Sequence, residues 1–157
     1  MSIKYIALPT QDVLDLVSGL PDANGKTSER VASDGEGNPC RHCLQEIPLG
    51  EEMLVLAYRP FKNLQPYAEV GPIFLCAAGC ERYPETSIAP EHYKQREMLV
   101  RGYDAEDRIV YGTGKVIPVP NLEKEALSLL EVPRVKYLHA RSPTNNCYHF
   151  KIEVNSS

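Results

Sequence analysis

Apolar and polar residues alternate along this chain in short blocks, and most of the blocks are strand-sized. Residues 3–8, 53–58, 73–75, 98–103, 108–111, 135–139 and 148–154 each read as a strand. In the last of these, Tyr148, Phe150, Ile152 and Val154 alternate onto one expected face. Residues 98–103 and 108–111 flank Asp104-Ala105-Glu106-Asp107, the pattern of a hairpin. Helical spacing is clearest near the end of the chain, where Leu122, Ala126, Leu129 and Leu130 recur on one stripe. Asn121 is placed to cap that helix, Glu123 and Glu125 suit its positive end, and Pro133 closes it, so 121–131 is the longest helix expected. A shorter helix follows Pro9, with Thr10 as its expected cap, Val13, Leu14 and Val17 on one face, and Gly19 at its stop. Pro90 is placed to open one further helical turn.

Between these blocks, residues 21–39 carry Gly25, Gly35 and Gly37 and almost no apolar side chains, and read as one long polar loop. Strands adjacent in sequence with few helices between them predict an α+β fold. The expected form is a single domain over 1–157 with one mixed, mainly antiparallel sheet and two or three short helices. Net charge is −4, and lysine and arginine are dispersed without a basic run, which argues against a nucleic-acid partner. The apolar runs are strand-length, too short to span a bilayer, and the first residues lack the apolar core of a secretory signal. A cytoplasmic location is the expectation, and in a reducing compartment paired cysteines point to metal or redox chemistry before structural disulfides.

Four of the five cysteines fall into two close pairs, Cys40-Arg41-His42-Cys43 and Cys76-Ala77-Ala78-Gly79-Cys80, with 32 residues between the pairs. Two ligands a few residues apart can face one ion from a single turn of backbone, and a second such turn completes a tetrahedral zinc shell. Structural zinc on Cys40, Cys43, Cys76 and Cys80 is therefore the leading reading of the pairs. Unligated cysteines, a redox dithiol and disulfides stand beside it. For the redox dithiol, Arg41 and His42 would favour a thiolate at Cys40 or Cys43. His42 reads as a solvated neighbour of the pair or as a ligand in place of a cysteine. Cys147 stands apart at a strand start and reads as a core residue.

Two near-motifs fail on their own residues. Gly25-Lys26-Thr27 resembles the end of a phosphate-binding loop, but the glycine required five positions earlier is Leu20. Gly112-Thr113-Gly114 lacks the third glycine of a dinucleotide fingerprint, position 117 being Ile117. A softer candidate joins Tyr58 and Arg59 with Tyr67: aromatic bodies beside a fixed guanidinium suit a small anionic ligand, with the polar loop 21–39 as a lid. Against it stands the common use of Tyr and Arg to close a strand end while packing on the core.

The blocks Asn38-Pro39-Cys40-Arg41-His42-Cys43-Leu44, Gly50-Glu51-Glu52, Tyr58-Arg59-Pro60-Phe61, Pro66-Tyr67 and Gly71-Pro72-Ile73-Phe74, with Cys80 and the closing Cys147-Tyr148-His149-Phe150, resemble the bacterial domain-of-unknown-function family 1203. The resemblance implies a small single-domain protein and supplies no mechanism. It also implies histidine at the position of Cys76 in other members, an exchange that keeps zinc ligation intact. The sequence reading is thus a zinc-stabilised binding or accessory module for a small anionic ligand or a protein partner. The alternatives are a thiol redox enzyme or sensor using Cys40 and Cys43, and a hydrolase or transferase acting on a small anionic substrate.

Overall fold

The computed structural model describes residues 1–156; Ser157, the last residue of the expected span, lies outside them. Eight strands and two helices follow one another as β1 (Ser2–Ile6), α1 (Thr10–Val17), β2 (Glu29–Ala32), β3 (Glu52–Tyr58), β4 (Gly71–Cys76), β5 (Glu97–Tyr103), β6 (Lys115–Pro118), α2 (Leu122–Leu130), β7 (Tyr137–Arg141) and β8 (Tyr148–Asn155). The single mixed sheet of the sequence reading is corrected to two sheets. One has five strands in the order β1-β8-β7-β5-β6, the other three in the order β2-β3-β4. Every pairing between these strands is antiparallel. The one parallel contact among the described residues is an isolated bridge from Cys40 to Phe74, and it joins the first cysteine pair to β4.

Alternation decides which side of each strand is buried. Leu138 and Ala140 of β7, Phe150 and Ile152 of β8, and Ile3 and Tyr5 of β1 form one core with Leu122 and Ala126 of α2. Leu54 and Leu56 of β3 and Ile73 and Leu75 of β4 form a second core with Leu8, Val13 of α1, and Tyr148. All five residues of β7 are buried, so this strand is covered on both faces.

Tyr148 belongs to the second core because β8 is irregular at its start. Ala140 is opposite Phe150, but Arg141 is opposite Tyr148, so two residues of β8 fill the space of one. Such a bulge turns a side chain to the other face. The expected single face of Tyr148, Phe150, Ile152 and Val154 is therefore corrected at Tyr148, which lies against His139 (ring centroids 4.8 Å apart) and under Arg141.

Three further expectations change. The loop 21–39 contains β2, whose four residues are all exposed, so no apolar period marks it. Residues 108–111 are not a strand: Ile109 makes only a bridge to Tyr103, and β5 pairs instead with β6 and β7. Asp104 still holds the tight turn, its Oδ1 accepting the N–H groups of Glu106 and Arg108. Asn121 does precede α2, but its side chain makes no capping bond, and a 3-10 turn at Val119–Asn121 leads the chain in. Pro9, not Thr10, occupies the cap position of α1.

Candidate metal centre and adjoining cavities

The first cysteine pair sits on a tight knuckle. Cys40 N–H donates to the Gln45 carbonyl, Leu44 N–H donates back to Cys40, and Pro39 bridges Glu46. Leu44 takes a positive φ of 58° to complete the turn, a conformation a branched side chain adopts at a cost. The second pair follows β4: Cys76 ends the strand, and Gly79, at φ 94°, supplies the left-handed step that brings Cys80 back. Arg41 N–H donates to the Phe74 carbonyl at 3.0 Å and so locks the knuckle against β4.

This geometry gathers Cys40, Cys43, Cys76 and Cys80 until their sulfurs all lie within 4.8 Å of one another. Cys40 Sγ and Cys80 Sγ are 3.7 Å apart. A tetrahedron with metal–sulfur bonds of about 2.3 Å has edges of about 3.8 Å, so the spacing suits a zinc ion. Cys40 Sγ also accepts two backbone N–H groups, from His42 and Cys76, each at 3.4 Å. The thiols of Cys43, then Cys76 and Cys80, hold the Cys40 thiol well below its usual range, while Cys40 pushes Cys76 up. Four thiols crowded in this way favour sharing negative charge around one cation. All five cysteines are free of disulfides.

The two residues inside the first pair diverge. His42 Nδ1 lies 3.1 Å from Cys80 Sγ and its Nε2 lies 2.9 Å from Thr10 Oγ1. The imidazole, 2% exposed, is thus not a solvated neighbour, and it does not take the place of a cysteine in the four-sulfur cluster; it links Cys80 to Thr10, whose hydroxyl serves that link in place of the expected helix cap. Burial lowers the His42 pKa, with Arg82 adding to it. Arg41 turns the other way. Its Nε and Nη1 donate at 2.6 Å each to the carbonyls of Tyr148 and Pro39.

Tyr58 and Arg59 stand at the end of β3 and border two cavities. The first, about 510 Å³, also has Asp12, Asp15 and Asp22 in its wall. The second, about 460 Å³, shares Asp12 and Lys62 with the first and adds Asp107, Lys151, Tyr137, His139 and Tyr148. Arg59 Nε is buried without a hydrogen-bond partner. Burial, with Asp12 nearby, pushes the Tyr58 hydroxyl up to about 12. Tyr67 is not brought to either cavity: its hydroxyl meets that of Tyr111 at 3.0 Å and Arg108 lies over its ring. The start of the polar loop does reach this edge, with Ala23 N–H donating to the Ala57 carbonyl and Asp22 accepting from Ala57 N–H.

Sequence reasoning did not find Tyr137, His139, Tyr148 and Lys151 as neighbours of Tyr58. Position 139 lies inside an apolar strand pattern, and the bulge that turns Tyr148 leaves no sequence signal. Cys147, expected in the core, is only half-buried and lies beside a third cavity of about 640 Å³.

Residues 37–154 match the family described as "Protein of unknown function (DUF1203)", and the chain belongs to that family. The match includes all four clustered cysteines, and it begins after α1, which carries Thr10. No curated protein and no solved structure matches the chain. No helix among the described residues is long and apolar enough to cross a membrane.

Proposed function

For a chain whose family membership names no activity, we propose a binding module whose fold is fixed by a structural zinc ion on Cys40, Cys43, Cys76 and Cys80. The observation that carries this reading is the set of four sulfurs within 4.8 Å of one another, on two knuckles from separate segments. The donor set suits zinc: four thiolates form a closed tetrahedral shell with no position left for substrate, the pattern of structural and not catalytic sites. Backbone N–H groups on Cys40 Sγ and the His42 imidazole on Cys80 Sγ would support the charge of the thiolates. Arg41, the residue that would favour a reactive thiolate, gives its Nε and Nη1 to backbone carbonyls instead, which weighs against the redox reading.

The ligand side of the proposal is a small anion held in the cytoplasm near Tyr58 and Arg59. Its support is the unpaired Arg59 Nε together with Lys62 and Lys151 around the 460 Å³ cavity. Around the neighbouring cavity Asp12, Asp15 and Asp22 outnumber Arg59 and Lys62, whereas around this one Arg59, Lys62 and Lys151 outnumber Asp12 and Asp107.

The test is elemental analysis of protein purified without added metal, followed by chelation. One zinc per chain is expected, with a melting temperature that falls on chelation and returns with zinc, since metal held only by the folded state stabilises it by mass action. Metal-free protein whose melting temperature ignores both chelator and zinc would overturn the proposal.

A further inference from the structure

The largest of the cavities described, about 640 Å³, lies beside the cysteine knuckle and away from Tyr58 and Arg59. Four stretches of chain meet there: Asn38, Pro39 and Arg41 of the knuckle, Phe74 of β4, residues 92–98 running from the 3-10 turn through Arg96 into β5 at Met98, and the β7–β8 turn with His149. Arg41 is 2% exposed. Its guanidinium lies over the Phe74 ring, 5.6 Å from the centroid, and two of its three nitrogens donate to carbonyls. No carboxylate pairs with it among the described residues. A buried guanidinium is costly without a counter-charge. A four-thiolate zinc centre at the adjoining Cys40 would offset part of that cost, while Nη2 makes no hydrogen bond to the described residues.

Other donors converge on the same space. Arg96 commits only its Nε, to the His92 carbonyl, and keeps its outer nitrogens free. His149 is tied at Nδ1 to the Tyr93 hydroxyl at 2.8 Å, which fixes the ring and leaves Nε2 as its free edge. Glu97 is the one carboxylate in the wall, against two guanidiniums. Phe74, Met98, Pro39 and Pro143 provide apolar wall.

We propose that this cavity is an oxyanion-binding site, with Arg41 and Arg96 clamping the phosphate or carboxylate head of a small organic molecule whose body rests on Phe74 and Met98. A planar guanidinium fork matches both heads. The volume lies in the range of sites for small organic ligands and far exceeds what a bare ion fills. Because Arg41 is held between Cys40, a candidate ligand, and His42, the link to Cys80, the metal knuckle sets the position of the cavity's deepest charge.

The test uses the full chain as purified with its metal. Thermal shift and calorimetry are run with inorganic phosphate, phenyl phosphate and benzoate, against chloride at matched ionic strength, on wild type, Arg96→Gln, Arg41→Lys and Arg59→Ala. Phenyl phosphate or benzoate should bind saturably and more tightly than inorganic phosphate, and the comparison of the two identifies the head group. Arg96→Gln should weaken that binding about tenfold or more, as loss of a charge-assisted hydrogen bond does, and Arg59→Ala should leave it unchanged. Arg96 is exposed, so this variant folds whether or not Arg41→Lys does. Absence of saturable binding above the chloride control would overturn the proposal. So would equal binding by Arg96→Gln, or binding lost in Arg59→Ala alone, which would place the anion in the Tyr58 cavity.

Discussion

His92 makes the acid sensitivity of this fold a measurable quantity. Its side chain is 8% exposed, and burial, with Arg96 and Arg41 adding to it, pushes its pKa down to about 4. The groups facing it are the Tyr93 ring, both guanidiniums, His149 and the Glu46 carboxylate, whose oxygen is 3.8 Å from Nδ1 and too far for a hydrogen bond. In the unfolded chain the same imidazole protonates near its ordinary value of about 6.5. Above that value neither state binds the proton and no stability is lost. As pH falls below it, the unfolded chain takes up a proton that the fold refuses, so stability drops until the folded group titrates near 4. At about 1.36 kcal/mol per pH unit, the loss reaches about 2 kcal/mol by pH 5 and about 3.4 kcal/mol at its limit. Urea unfolding of wild type and His92→Gln at pH 7.5 and 5.0 isolates this contribution. Glutamine takes up no proton, the responses of the cysteine cluster and of His139 are common to both proteins, and His149 stays lowered in both by its burial and by Arg41. Wild type should lose about 1–2 kcal/mol more than the variant between the two pH values. Parallel pH dependences would refute the argument.

Other outcomes follow from single contacts. His42→Gln or Thr10→Val should weaken zinc binding about 10- to 100-fold in a competition titration with a chromogenic chelator, because each breaks the link to Cys80 Sγ. Tyr93→Phe removes the buried hydroxyl that His149 Nδ1 meets and should cost about 1–3 kcal/mol in denaturant unfolding. Phe150→Ala, at a position with no exposure and with rings of Tyr5 and Tyr93 at 5.0 and 5.1 Å, should cost about 3–5 kcal/mol by the same assay. Gly102→Ala should also destabilise, by about 1–3 kcal/mol, since the added methyl would sit 3.0 Å from Val135 and 3.1 Å from the Thr113 hydroxyl that accepts the Gly102 N–H.

The candidate metal centre was legible because ligand spacing is a local property, and two such spacings in one chain seldom mean nothing. Strands with one buried face were legible for the same reason: β3, β4 and β8 carry their burial in their residue types. What escaped was set by distant partners. β2 exposes every residue, so only its ladder with β3 defines it. Thr10 has the residue type of a cap, but its hydroxyl is taken by an imidazole 32 residues away. Tyr67 has the residue type of a pocket aromatic, but Tyr111 and Arg108 hold it elsewhere. The bulge at the start of β8 is a one-residue slip that composition does not encode, and it moves Tyr148 from one core to the other. The cavity at Arg41 is built from four separated stretches, none of which carries a signal alone.

The pairing of β1 with β8 has a consequence for the order in which the molecule is assembled. Ser2 lies opposite Asn155, so completing the five-stranded sheet means closing a loop of nearly the whole chain, while β2, β3, β4 and all four clustered cysteines fall between positions 29 and 80. Loop closure over long separations is the slow part of folding a sheet. A nascent chain on the ribosome therefore holds all four clustered cysteines long before β8 has emerged, and thiolates that meet zinc at that stage would anchor the knuckle on which Arg41 later reaches for the Tyr148 carbonyl. Metal supply during synthesis, and not only afterwards, would then govern how much of this protein reaches its native state.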